Sequence, residues 1–238
     1  MNSNKILFQH GTLGTLMAGL YDGTFSINEL LSHGNMGIGT LDVLDGELIV
    51  LDGEAFQAKS DGTIVKLSGK ELVPYAAVTY FEGEKYELLE NEMTSEEVKT
   101  FLREKMSSLN TFSAIKIKGH FKKMHVRIIP KQEKPYQRFI NASRMQPEYT
   151  QTDVEGTIVG FFAPDLFQGA TVAGFHLHFI DKDQQFGGHI LDFVLEKGVL
   201  EIQTLETLEQ HFQIHDETFL KSEFDETNLH EEIQESEG

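Results

Sequence analysis

Three histidines fall close together in the stretch GFHLHFIDKDQQFGGHILDF, residues 174–193. In an extended strand, residues two apart point to the same face, so His176 and His178 share one wall while Phe175, Leu177 and Phe179 point the other way. The intervening IDKDQQFGG is polar and ends in two glycines, as a hairpin loop does, and it returns the chain so that His189 lies beside the first pair on the adjacent strand. Imidazole nitrogens converging in this way suit a transition metal. The chain contains no cysteine, so such a metal must rest on nitrogen and oxygen alone. A structural zinc site closes with four protein ligands, whereas a catalytic one keeps three and an open position, and three ligands therefore point to an open site. The alternative is a set of strand histidines that alternate with core residues and hydrogen-bond to backbone. The other histidines have no partner at ligand spacing, although His125 sits two residues before Arg127 and shares its strand face.

Two further side chains could do chemistry. Arg127 lies in MHVRIIP, an apolar strand context in which a guanidinium requires a counter-charge. Its planar fork suits either the carboxylate of a ligand or that of a protein acid. Glu47 shares a strand face with Ile49 and Leu51, and a carboxyl among aliphatic groups loses hydration, which raises its pKa toward the range useful for proton transfer near neutrality. An exposed glutamate at a hairpin end is the competing reading.

The elements that must hold these groups follow from spacing. Ser26 and Glu29 form a capping-box pair opening a short helix that stops at Gly34, and Thr94 with Glu97 opens a longer one whose Val98, Phe101, Leu102 and Met106 recur on one face. Between them, residues 40–67 carry Asp-Gly dipeptides at 45, 52 and 61 that separate apolar or alternating runs, which predicts an antiparallel meander. A second β-rich region begins near Phe112 with SAIKIKG and HFKKMHVRII, then resumes with TIVGFFAP, the histidine segment and GVLEIQTL. Pro130, Pro135 and Pro147 punctuate a polar connection at about residues 130–153, either a linker or an ordered crossover. After Ile214 the chain turns acidic and reads as a frayed, solvated terminus. The fold class expected is α+β, with few helices and two β-rich regions, residues 1–130 and 131–238, that form either two units or one integrated domain.

Composition sets the partners. With 238 residues and 39% hydrophobic residues the chain can bury a sizeable core. A formal charge of −18 repels nucleic acid and anionic lipid, which are bound mainly by neutralising their own charge. No apolar run approaches the roughly 20 residues needed to cross a bilayer, and no basic-then-apolar leader opens the sequence, so cytoplasmic residence is the expectation.

GTLGTLMAGLYDGTFSINELLSHGNMGIGTLDVLDGELIVLDG near the start, HVRIIP, and GFHLHFIDKDQQFGGHILDF together resemble the bacterial α-acetolactate decarboxylase family, over nearly the whole chain. The resemblance implies a dimeric cytoplasmic zinc lyase that converts 2-acetolactate to (R)-acetoin and carbon dioxide. It implies His176, His178 and His189 as the zinc ligands, Arg127 and Glu47 as active-site residues, and Gly39 and Thr40 of GIGT as part of the pocket wall. A further family glutamate arrives from a carboxyl-terminal tail folded over the metal, and Glu235 matches it best, with Glu231, Glu232 and Glu237 close by. No thiamine, pyridoxal or nicotinamide is required, and no glycine-rich phosphate loop is present for one.

Two rivals make distinguishable demands. A cupin-like metal oxygenase also uses His-x-His on strands, but it wants a carboxylate ligand a few residues later, where Asp181 and Asp183 stand. A non-catalytic zinc-binding protein wants a fourth protein ligand and no open position.

Overall fold

The computed structural model describes residues 5–88, 91–224 and 229–237. The first part of the chain contributes β1 (Ile6–His10), β2 (Phe25–Ser26), β3 (Met36–Thr40), β4 (Glu47–Leu51), β5 (Glu54–Ala58), β6 (Ile64–Lys66), β7 (Leu72–Val73) and β8 (Tyr75–Thr79). The second contributes β9 (Glu84–Leu88), β10 (Met93–Thr94), β11 (Ser113–Arg127), β12 (Glu148–Ala163), β13 (Gly174–Asp181), β14 (Gly187–Thr204) and β15 (Thr207–His211). The helices are α1 (Leu13–Met17), α2 (Ile27–Leu31), α3 (Ser95–Lys105), α4 (Phe139–Ser143), α5 (Glu217–Lys221) and α6 (Leu229–Glu237). The expected α+β class with two sheet-rich regions and few helices is what the chain forms.

One sheet runs in the order β15-β1-β8-β3-β4-β5-β6, and the meander expected over residues 40–67 is met by β4–β6, antiparallel throughout, whereas its first run, residues 40–44, leaves the end of β3 at Thr40 and forms a loop with a 3-10 turn. Only one of the three Asp-Gly pairs makes the two-residue hairpin that both positive φ angles favour: Asp52 and Gly53 at 51° and 82°, with Leu51 paired to Glu54. At the first pair Gly46 has φ 85° but Asp45 has φ −74°, and the turn is part of a longer loop in which Val43 and Leu44 also take positive φ. The α2 capping box at Ser26 and Glu29 forms as the spacing demands, but the helix ends at Ser32 rather than Gly34. Gly34 serves a different purpose, since a Cβ there would lie 2.6 Å from the Thr79 backbone nitrogen.

The other sheet runs β10-β14-β11-β12-β13, with β9 added on β14. Because β13 also pairs with β14, the strands β11, β12, β13 and β14 close into a ring. Phe121, Phe179 and Phe193 from three of those strands are fully buried together, Phe121 meeting the other two edge-on at 5.3 and 5.8 Å between ring centroids. Each such ring contributes roughly 1.5–3 kcal/mol from burial alone. Val98 and Leu102 of α3 pack into the same cluster, and Thr94 and Glu97 cap the helix as expected.

Between the two sheets lies a second cluster, with Ile38, Ile49 and Ala77 from one and Val159, Phe161 and Ile180 from the other. Strand alternation therefore aims Glu47, in step with Ile49, and His176 and His178, in step with Ile180, at the same intersheet seam. The connection at residues 130–153 is an ordered crossover. Gln132 N–H donates to the Val43 carbonyl at 2.8 Å, Tyr136 hydroxyl to Asp22 at 2.6 Å, and β12 begins already at Glu148. The carboxyl-terminal segment departs from the frayed expectation: α6 is helical and Ile233 is buried beside α1 and α4. That segment reads as solvated because Glu231 and Glu235 face outward while Ile233 supplies the anchor.

Candidate metal centre

β13 delivers His176 and His178, and β14 delivers His189, which is the direct cross-strand partner of His178. All three are buried, and one nitrogen from each ring lies within 4.8 Å of the others. The hairpin can close so tightly because of Gly187, where a Cβ would stand 2.4 Å from the Phe179 carbonyl oxygen. Asp181 organises the loop, its Oδ1 accepting from the backbone N–H of Gln185 and Phe186 at 2.7 and 2.8 Å. The carboxylate that an oxygenase of the cupin type would place on the metal is thus committed to the turn, and Asp183 is exposed.

The orientation of His178 is set from the other sheet. Its Nδ1 lies 2.9 Å from the Leu48 carbonyl of β4. A carbonyl only accepts, so Nδ1 carries the proton and Nε2 carries the lone pair. That Nε2 is buried and has no hydrogen-bond partner among the described residues. A buried nitrogen lone pair left open is costly without a partner, and a cation shared with His176 and His189 satisfies it. The donor set of neutral imidazole nitrogens suits zinc as well as other borderline metals.

The electrostatics keep the rings in ligand form. Burial, then the neighbouring His178 and Arg127, hold His176 well below the ordinary imidazole range. Burial lowers His178 to about 4, Arg127 adding to the effect and the Leu48 carbonyl opposing it. Burial and Arg127, followed by the other two imidazoles, likewise hold His189 far down. Three neutral rings therefore face one another at neutral pH, which is the protonation state a metal requires.

Arg127 ends β11 in register with His189, and its Nη2 stands 3.3 Å from His189 Nε2. A guanidinium always donates, so this contact also marks Nε2 as the unprotonated nitrogen of His189. The same Nη2 donates to the backbone carbonyl of Ser236 on α6. His125, on the same face, is taken up by Glu148 at 2.9 Å and lies away from the cluster.

Glu47 is buried, its Oε1 accepts from the Ile129 backbone N–H at 2.9 Å, and its Oε2 stands 3.6 Å from His178 Nε2. It sits in a row across three strands, with Thr40 as its partner on β3 and Tyr75 as the partner of Thr40 on β8. These three line a cleft of about 330 Å³ together with Gly39 and His176, and Leu13, Leu16 and Phe139 form its apolar side. Gly39 and Thr40 of the GIGT motif thus line this cleft. Glu235 stands outside the cluster: it is exposed and pairs with Arg144 at 2.6 Å. Of the neighbouring acids, Glu231 is exposed and Glu232 pairs with Arg138 at 2.8 Å, while the Glu237 side chain lies outside the described residues.

Several contributors escape a reading by residue type. The Leu48 and Ser236 carbonyls act through the main chain and leave no side-chain signature. Tyr75 carries a detectable signal, as a single phenol in the otherwise aliphatic run YAAV, but its place in the row depends on strand register.

Known proteins are similar to this chain over nearly its whole length. A family model described as alpha-acetolactate decarboxylase matches residues 7–226. The alpha-acetolactate decarboxylase of Lactococcus lactis subsp. lactis (strain IL1403) is 49% identical over 227 residues, covering 95% of this chain and 96% of the relative. The crystal structure of alpha-acetolactate decarboxylase from Bacillus subtilis strain 168 superposes with a TM-score of 0.94 at 35% identity, over 98% of this chain and 99% of that one. A Staphylococcus aureus protein described as similar to alpha-acetolactate decarboxylase superposes at 0.95 with 49% identity, over 98% and 100%. On its sequence and its fold alike, the chain belongs to the alpha-acetolactate decarboxylase family.

Proposed function

We propose that the chain catalyses the zinc-dependent decarboxylation of 2-acetolactate to (R)-acetoin and carbon dioxide, with His176, His178 and His189 as the metal ligands. The observation that carries this reading is the open, buried Nε2 of His178, fixed by the Leu48 carbonyl and grouped with two other neutral imidazoles beside a cleft. In the reaction the bond between the carboxyl carbon and C2 breaks, and its electron pair remains on C2, where the adjacent ketone spreads it as an enediolate. A proton added to one carbon of that system completes acetoin. The chemistry a zinc ion supplies when bound there is positive charge and Lewis acidity where the negative charge develops.

The protein's own groups do the rest. Arg127 holds a permanent positive charge at the edge of the imidazole cluster and orients the substrate's carboxylate. A tighter grip on the departing group would favour the ground state over the transition state, so orientation is its contribution. Glu47 is the proton donor. Its Oε1 is tied to the Ile129 N–H, so the carboxyl presents its other oxygen to one face of the substrate, and delivery to one face fixes the product's configuration. Leu13, Leu16 and Phe139 exclude water from the same space. Glu235, matched to the family's tail glutamate by resemblance, pairs with Arg144, so proton delivery is assigned to Glu47; the side chain of Glu237, another candidate for the tail glutamate, lies outside the described residues. Regions 1–130 and 131–238 act as one catalytic unit in this reading, because Glu47 comes from the first and the ligands from the second.

A cytoplasmic homodimer is proposed on the family resemblance, to be checked by light scattering and cell fractionation. No helix among the described residues is long and apolar enough to cross a membrane. The direct test of function assays acetoin and carbon dioxide from 2-acetolactate before chelation, after it, and after zinc is restored. Activity should fall and return with the metal. Metal-free protein that turns over as fast as the loaded form would overturn the proposal.

A further inference from the structure

Behind the cleft lies a second, small apolar space, with room for about one water molecule, walled by Leu7, Ile38, Ala77, Phe161 and Ala163, and it lies in the intersheet core. Tyr75 and His176 are the two residues that border both spaces. His176 is a ligand of the cluster, so Tyr75 is the one movable partition. Its ring is buried and its hydroxyl pairs with the Thr171 hydroxyl at 2.9 Å, which pins the ring at its far end. Its backbone is pinned by the pairing of β8 with β3.

We infer that Tyr75 sets the size limit for the alkyl substituents of the substrate, by keeping the cleft separate from the apolar space behind it. This rests on the reading of function given above. A 2-hydroxy-3-keto acid must turn its carboxylate, hydroxyl and ketone toward Arg127, Glu47 and the imidazoles, so its alkyl groups face the remaining walls. Leu13, Leu16 and Phe139 are packed into the core cluster behind α1 and α4 and have nowhere to retreat. Tyr75 belongs to the same cluster, but it alone of these side chains also borders the small apolar space beyond. Removing the ring adds its own volume to that space next to His176 and gives a longer chain an apolar berth.

The test compares kcat/KM for 2-acetolactate with that for its 2-propyl homologue in the zinc-loaded enzyme. Wild type should strongly favour the methyl substrate. Tyr75→Ala should shift the ratio toward the propyl substrate by roughly ten-fold or more, the discrimination that a methylene or two carries in an apolar pocket. Tyr75→Leu, which leaves a smaller void, should shift it in the same direction should the Ala variant not fold. Tyr75→Phe keeps the ring, loses the bond to Thr171, and should leave the ratio as in wild type. Adding Ala163→Leu to Tyr75→Ala refills the rear space and should restore discrimination. An unchanged ratio in folded Ala or Leu variants would overturn the inference, as would a Phe variant that shifts the ratio as far as they do. If wild type does not decarboxylate 2-acetolactate at all, the functional reading fails instead. The partition is then still tested by calorimetric binding of ketone-free 2-hydroxy-2-methyl and 2-hydroxy-2-propyl acids to the same variants, with tighter propyl binding in the opened variants expected and equal binding overturning it.

Discussion

Replacing Ile233 with Ala should release the carboxyl-terminal helix while leaving the two sheets folded. Helix α6 has nine residues, fewer than the roughly 12–15 at which an isolated helix becomes even marginal in water, so it persists only where it is docked. Its docking rests on few contacts. The Ile233 side chain is buried among α1 and α4 residues, and Leu229 is partly buried there. The ion pair of Arg144 with Glu235 is exposed and contributes about 0–1 kcal/mol, while that of Arg138 with Glu232 is half-buried and the Ser236 carbonyl and hydroxyl bond Arg127 and Ser143. Truncating a buried isoleucine costs about 2–5 kcal/mol, so the substitution removes the main apolar contribution to docking. About 3 kcal/mol corresponds to a rise of roughly two orders of magnitude in the undocked population. Hydrogen exchange resolved by peptide should show that acceleration in residues 229–237, with β11–β14 protected as before and the urea midpoint little changed, since the opening is local. The KM for 2-acetolactate should also rise, because Arg127 loses the Ser236 carbonyl that helps to aim it. Unchanged exchange in α6, or equal acceleration in the ring strands, would refute the reasoning.

Three further outcomes follow from the site and its surroundings. His178→Ala should abolish both bound zinc, measured by atomic absorption, and activity, whereas a variant that keeps stoichiometric zinc would remove His178 from the ligand set. Glu47→Gln should retain zinc and lower kcat by about 10²–10⁴-fold, the usual worth of a positioned acid, and wild-type turnover would exclude it as the proton donor. His10 is buried against His211 and Thr24, and burial, then His211, lower it from 6.5 to about 4. Above pH 6.5 the group is neutral folded and unfolded and contributes nothing. As pH falls from 6.5 to 4 the unfolded chain takes up a proton that the folded one refuses, so about 3 kcal/mol of stability is lost across that window. Urea midpoints for wild type and His10→Gln should therefore converge or cross as pH drops, and parallel curves would discard the assignment.

Much of the site was legible in the residues because its signals were local. A two-residue alternation put His176 and His178 on one wall, and a glycine-ended polar loop brought back His189. The capping boxes at Ser26 and Thr94 rest on side chains three apart and were equally readable. Misreadings arose where distant packing decided the outcome. Gly34 suggested a helix cap, but the approach of Thr79 explains it, and that contact comes from a strand more than forty residues on. The acidic tail reads as solvated because composition averages over outward-facing glutamates and conceals one buried isoleucine. Glu235 was matched by position within a motif crowded with acids, and the side chain's direction, out to Arg144, depends on how α6 lies against α4.

The hydrogen bond from His178 to the Leu48 carbonyl has a consequence for assembly. A chain whose ring of four strands has closed, but whose other sheet has not yet come to rest upon it, holds three imidazoles of which one is free to spin and to carry its proton on either nitrogen. High-affinity capture of an ion then waits for the two halves to meet. On the proposed reading, in which the cluster holds an ion, metal uptake would be the last event of maturation, and only a chain with both halves docked would carry its ion.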